Sequence, residues 1–226
     1  MMESTSTHTH GGARPGAGRK KTGKKRGGPH RARPWLSSKH PVHLTLRTVR
    51  GLPRLRQRCF YEAVRRVLVR YLERDDFRIT HISIQHNHLH LIAEAASART
   101  LTRGMQSFTI NAARAINAAW GRMGKVFAFR YHASQIKTAS YARNALSYVL
   151  NNWRRHREDF YDGASRKALL DELSSAISFT GWTVRFAKPP PDHEPLPVSR
   201  PRTQLLREDW KRFGLIRPDE CPGPIL

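Results

Sequence analysis

Residues 82 to 92 read Ile-Ser-Ile-Gln-His-Asn-His-Leu-His-Leu-Ile, two apolar extended runs that meet at three histidines. In a strand, successive side chains point to opposite faces, so His88 and His90 project together while Leu89 and Leu91 face the other way. The chain must therefore build a sheet with one oily face and one face carrying imidazoles. Two imidazoles fixed on one side of a strand are half of a divalent metal site. The pattern alone is not specific, since amidohydrolases, cupins and ordinary hydrogen-bonded sheets also use it. His86, at the turn between the runs, is expected to be solvated or to contact a partner rather than to ligate a metal.

The surrounding pattern extends the sheet. His40 to Val49 alternates Val42, Leu44 and Leu46 with His43, Thr45 and Arg47, which predicts a half-buried strand. Gly51 and Pro53 punctuate it, and an amphipathic helix is expected from Leu55 to about Glu73, with Cys59, Ala63, Val67 and Tyr71 inward. Phe77–Gln85 and His88–Glu94 read as strands joined by a tight break at His86-Asn87. A second helix is expected over Arg99–Trp120, an extended segment over Lys125–Lys137, and a third helix, capped by Thr138 or Ser140, to about His156. Strand, helix, strand, strand, helix, strand, helix is the order of a ferredoxin-like α+β sandwich: an antiparallel sheet with helices on one face and the histidine pair on a central strand. Further on, a short helix is expected around Lys167–Ile177. Pro189-Pro190-Pro191 reads as a linker, and Thr203–Phe213 as a terminal docking helix.

Charge narrows the partner. Forty-one Lys and Arg against seventeen Asp and Glu give +24 over 226 residues, a balance that favours a polyanion, with nucleic acid the default. No apolar run is long enough to span a membrane, and no signal peptide or lipidation motif is present. Cys59 and Cys221 lack metal spacing, so a reduced, cytoplasmic or nucleoid-associated protein is expected. Gly11 to Pro34 holds nine basic residues and no acidic one. Residues 1–36 are accordingly expected to form a disordered basic arm, 37–156 the working domain and 157–226 a C-terminal extension. Candidate phosphate contacts are Arg14, Arg19, Lys20, Lys21, Lys24, Lys25 and Arg26 in the arm. In the domain they are Arg103, Arg114, Arg122, Arg130 and Lys137.

The third helix carries the remaining chemistry. Tyr148 and Asn152, four residues apart, stack on one helix face. If that face meets the histidine strand, a phenol, an amide oxygen and two imidazoles converge. Such a set suits phosphoryl transfer through a covalent intermediate, because a neutral phenol is a weak nucleophile that needs an activated phosphate. A divalent metal held by the two histidines and one oxygen ligand would activate it. Tyr141 is the second candidate nucleophile, and it has Ala145 rather than an amide four residues on. Glu94, on the His90 face, offers either a carboxylate to the site or an edge salt bridge with arginine.

These residues resemble the single-tyrosine (Y1) HUH transposases, the IS200/IS605-type enzymes and the related REP-associated tyrosine transposases. The resemblance covers about 41–156. It rests on His88-Leu89-His90, on Phe127-Ala128-Phe129-Arg130-Tyr131-His132 ahead of the tyrosine helix, and on Tyr148-Val149-Leu150-Asn151-Asn152. The run Gly-Ala-Arg-Pro-Gly-Ala-Gly-Arg-Lys near the start resembles the basic leader of bacterial members. The resemblance implies that Tyr148 attacks single-stranded DNA bearing a hairpin, keeps the 5′ phosphate as a phosphotyrosine and frees a 3′ hydroxyl that later rejoins strands. It also implies either a homodimer, as in IS200-type enzymes, or a monomer, as in some REP-associated ones. Asn152 stands where IS200-type members commonly have a glutamine metal ligand, so the resemblance implies Mg²⁺ or Mn²⁺ on His88, His90 and Asn152. Trp153-Arg154-Arg155-His156 stands where many REP-associated members have Asn-Pro-Val-Arg. The alternatives are an inactive DNA-binding relative of the same fold and, with no carboxylate-rich motif to support it, a different metal-dependent hydrolase.

Overall fold

The computed structural model describes residues 35–160, 169–184 and 193–223. The basic arm up to Pro34 and the triple proline lie outside these residues. Four strands, β1 (Val42–Arg47), β2 (Phe77–Ile84), β3 (His88–Ala95) and β4 (His132–Gln135), form one sheet in the order β2-β3-β1-β4, with every neighbouring pair antiparallel. Helix α1 (Arg58–Val69) follows β1, α2 (Ala98–Ala119) follows β3, and α3 (Ala139–Arg155) follows β4. This is the ferredoxin-like α+β order, with β3 inside the sheet.

Register decides which face is oily. Leu44 lies opposite Leu91 and Leu46 opposite Leu89, while Thr45 lies opposite His90 and Arg47 opposite His88. Period-2 alternation thus gives one face of leucines and one of histidines, threonine and arginine. On β2 the alternation is interrupted by a register shift between Ile79 and His81. The extra residue, Thr80, turns its hydroxyl to the Ile92 carbonyl (3.1 Å). This lets Phe77, Ile79, Ile82 and Ile84 all reach the oily face, and all four join its core.

Helices α1 and α2 cover that face with Phe60, Val64 and Leu68 from one and Leu101, Met105, Phe108 and Ile116 from the other. Gly104 allows α2 its close approach, because a Cβ there would collide with the Phe77 ring. A reciprocal capping box between Ser97 and Thr100 starts α2. One refinement concerns the sandwich: α3 does not lie beside α1 and α2. It covers the opposite face, where Ile92 packs with Ile136, Ala142, Leu146 and Val149 in a second core. The histidine face leaves only part of its area apolar, so one helix with small inward residues suffices there.

Residues beyond α3 complete this second core. Trp182, Leu206, Trp210 and Ile216 all pack into it. The segment 214–222 then runs along α3 as a strap. Arg143 binds the Glu220 carboxylate at 2.7 and 2.8 Å, and Ser147 also donates to Glu220. The carbonyls of Arg217, Pro218 and Pro222 accept from Asn151, Arg154 and Arg155.

Several element boundaries differ from expectation. Helix α1 begins at Arg58 instead of Leu55, because the Leu55 amide donates to the His86 carbonyl and Arg56 turns to Asp171. It ends at Val69. The fourth strand is short: Val126 and Phe127 are buried in the α1/α2 core, after Gly121 and Gly124 turn the chain with positive φ. Of the helix expected over Lys167–Ile177, only a 3-10 turn at Ser175–Ser178 forms among the described residues. Asp171 and Ser174 side chains take the local amides there and compete with helix bonds. The terminal helix is split into α4 (Gln204–Arg207) and a 3-10 turn (Asp209–Phe213), broken at Glu208 so that Trp210 reaches the second core. Thr138, rather than Ser140, caps α3 by accepting from the Tyr141 amide at 3.2 Å.

Glu94 serves structure. It is 1% exposed, binds Arg78 at 3.1 Å and accepts from the Arg202 and Thr203 amides and the Thr203 hydroxyl. It thereby fixes the entry to α4 on β3. Glu94→Ala leaves Arg78 and three donors without their acceptor and is expected to lower unfolding free energy by about 3 kcal/mol in urea titrations. A loss under 1 kcal/mol would mean that the carboxylate does not anchor the extension.

Candidate active site

The histidine face and α3 enclose a cavity of about 490 Å³. Its floor is His88 and His90 of β3 with Thr45 and Arg47 of β1. Tyr148 and His156 of α3 form one wall, and Phe129, Arg130 and His132 the rim. The Tyr148 ring stands edge-on to His90, with centroids 5.0 Å apart, and to His43 at 5.7 Å. The Arg155 guanidinium, held by the Pro222 carbonyl, sits 5.9 Å from the Tyr148 ring.

The imidazoles form a chain. Nε2 of His88 lies 2.9 Å from Nε2 of His90, and Nδ1 of His88 lies 2.8 Å from the Asn87 amide oxygen. Nδ1 of His90 lies 3.1 Å from Nε2 of His43 and 3.2 Å from the Thr45 hydroxyl. Burial is the main cause that pushes the pKa of His43 and of His88 down to about 4 and that of His90 well below 6.5. His132 adds to the effect on His43, and His156 and Arg47 to that on His88. His156, at the end of α3, is lowered by desolvation and opposed by Glu158. These rings are neutral at pH 7, the state in which imidazole binds a cation.

Among the described residues, no three His, Cys, Asp or Glu side chains are grouped to hold a metal ion. A cation held on His88 and His90 would therefore draw its next protein ligand from another residue type. Asn152, one turn beyond Tyr148, is fully buried with both amide atoms lacking a hydrogen-bond partner, but it is not among the residues that line the cavity. Such an orphaned amide costs about 1–3 kcal/mol per group, which an oxygen-seeking cation would offset. The 2.9 Å between the two Nε2 atoms also fits neighbouring ligands of an octahedral ion, roughly 3 Å apart for bonds of ~2.1 Å. The two imidazoles thus present a pair of nitrogen ligands suited to a divalent cation.

Tyr141 is not part of this cavity. Its ring packs at the edge of the second core and its hydroxyl is buried without a partner. Of the candidate phosphate contacts, Arg130 lies at the rim. Arg103 and Arg114 are exposed on α2, on the far side of the sheet, Arg122 folds onto the Lys125 carbonyl, and Lys137 lines a separate cavity near Arg202. Arg14 to Arg26 lie outside the described residues. Trp153 is core, whereas Trp120 is 47% exposed. His132 and His156 carried no site role in the sequence reading. His156 caps the end of α3, eight residues after Tyr148 and about 80° further round the helix.

The buried neutral histidines make stability pH-dependent. His81, below the Phe179 ring, has its pKa lowered to about 3 by burial. The unfolded state binds protons near pH 6.5 that the folded state refuses, so stability is full above pH 6.5 and falls as pH drops toward 3–4. Each such histidine contributes a slope of up to about 1.4 kcal/mol per pH unit. Urea unfolding at pH 7, 6 and 5 is expected to show declining stability, with a shallower decline in His81→Gln. Equal slopes would remove His81 from the account.

The architecture is an α+β sandwich whose histidine-bearing strand faces a tyrosine helix across one cavity, in a strongly basic chain. The family model described as Transposase IS200 like matches residues 37–152, just over half of the chain. The chain belongs to this family of transposases. A solved structure of the REP-associated tyrosine transposase bound to a REP hairpin is similar over 57% of this chain and 74% of that one, at 16% identity and a TM-score of 0.45. No curated protein matches the chain. No helix among the described residues is long and apolar enough to cross a membrane.

Proposed function

We propose that this protein cleaves and rejoins single-stranded DNA at hairpin-bearing ends through a 5′-phosphotyrosine on Tyr148. The observation that carries this reading is the Tyr148 ring standing 5.0 Å from His90 in the cavity that His88 also lines. In the reaction the phenolic oxygen bonds to phosphorus and gives its proton to solvent. The bond from phosphorus to the 3′ oxygen breaks, and that oxygen leaves as a hydroxyl after taking a proton from water. A 3′ hydroxyl reverses the step, so bond energy is conserved.

His88, His90 and Asn152 would hold a divalent cation, Mg²⁺ or Mn²⁺. The chemistry such an ion supplies when bound is withdrawal of charge from a non-bridging phosphate oxygen. Arg47 and Arg130 flank the cavity and neutralise the DNA backbone. Phe129, 81% exposed at the rim, offers a ring for a base to stack on. Packing of α3 on the sheet keeps the phenol aimed and restricts water.

The test is covalent trapping. Protein mixed with a hairpin-bearing single strand and Mn²⁺ is expected to give an adduct that survives denaturing electrophoresis. Tight, salt-sensitive binding with no adduct under any metal would instead favour an inactive DNA-binding relative.

A further inference from the structure

His90 has two ring nitrogens, and its neighbours make different demands on them. The Asn87 amide oxygen, 2.8 Å from His88 Nδ1, can only accept. His88 therefore carries its proton on Nδ1 and presents a lone pair at Nε2. His90 Nε2 lies 2.9 Å from that lone pair. With no cation between them, the contact is satisfied when His90 bears its hydrogen on Nε2. His90 Nδ1 is then an acceptor, served by His43 Nε2 at 3.1 Å or the Thr45 hydroxyl at 3.2 Å.

A cation on both Nε2 atoms needs a lone pair from each. The His90 hydrogen must then sit on Nδ1, where it requires an acceptor. A lysine or arginine at that place would only donate. A neutral imidazole does either, by exchanging its own tautomer, as the Thr45 hydroxyl 3.2 Å from the same nitrogen does by rotating. His43 is neutral, 7% exposed and at 3.1 Å the nearer of the two. Its ring also stacks on His90, with centroids 5.1 Å apart and planes 22° apart, and meets the Tyr148 ring edge-on. One side chain thus touches both the expected ligand and the expected nucleophile.

We infer that His43 is a positioning residue that switches the His90 tautomer, accepting from Nδ1 when the ring ligates a cation and donating to it otherwise. The inference rests on the metal reading proposed above. It gives His43 a role in cation affinity and in the placement of Tyr148, without contact between His43 and the DNA.

Mn²⁺ binding to the full chain, followed by electron paramagnetic resonance, tests it. His43→Phe keeps a ring and removes both nitrogens. It is expected to weaken Mn²⁺ binding by about 10–100-fold, the usual effect of losing a hydrogen-bond partner of a metal-bound histidine. His43→Gln, whose amide both donates and accepts, is expected to recover most of the affinity. Long-range ¹H–¹⁵N spectra of the wild-type protein give a reading that no folding defect can obscure. Added Mg²⁺ is expected to move the His90 proton from Nε2 to Nδ1. Wild-type affinity in His43→Phe overturns the role of His43 and leaves the metal reading standing, whereas a His90 proton that stays on Nε2 with Mg²⁺ bound removes His90 from the ligand set and overturns both. Absence of Mn²⁺ binding by the wild-type protein overturns both.

Discussion

Tyr148→Phe is expected to remove the covalent adduct, with strand cleavage slowed by on the order of 10⁴-fold or more, as when other enzymes lose their nucleophile. The change keeps the ring that packs against His90 and His43. The hydroxyl faces a cavity, so unfolding free energy should shift by no more than about 0.5 kcal/mol. Hairpin binding, which the proposed function assigns to the arginines and not to the phenol, should persist. Tyr141→Phe is the control: its hydroxyl is already buried without a partner, so adduct formation should match the wild type. An adduct retained in Tyr148→Phe and lost in Tyr141→Phe would reassign the nucleophile and with it the meaning of the cavity.

The second large effect is expected at His90. His90→Ala removes one Nε2 of the pair and the shared partner of His43 and Thr45. Adduct formation should slow by on the order of 10³-fold, about 4 kcal/mol of transition-state stabilisation. Raised Mn²⁺ concentration should recover part of the loss if affinity is the damaged quantity. Chelation of the wild-type protein should lower the rate comparably. A chelated wild-type protein that cleaves at full rate would refute a metal role for this pair, and the two histidines would then be structural.

The strands that carry the site were legible because period-2 alternation is a strong signal where one face is buried. Val42, Leu44 and Leu46 against His43, Thr45 and Arg47 predict a half-buried strand, and its Thr45 and Arg47 form part of the cavity floor. Tyr148 was legible through its four-residue spacing to Asn152. The stacking of His43 on His90 was not, since alternation puts a residue on a face without saying which ring it will touch across the sheet. The bulge at Thr80 was invisible for a related reason: a single extra residue breaks the alternation, and only the partner strand shows where. The extension was least legible. Asp171, Ser174 and Glu208 redirect the backbone through particular contacts, and those contacts involve Arg56 ahead of α1 and the second core rather than local propensity.

The strap along α3 has a practical implication for anyone trimming this chain. The segment shared with the family ends at residue 152, yet Asn151, Arg154 and Arg155 complete their hydrogen bonds with carbonyls some 65 residues later. Cutting just after the tyrosine helix would strip Trp182, Leu206, Trp210 and Ile216 from its outer side and bare a greasy surface to water. A shortened version should clump in solution and hold its phenol loosely, so recombinant work is best begun with the tail retained.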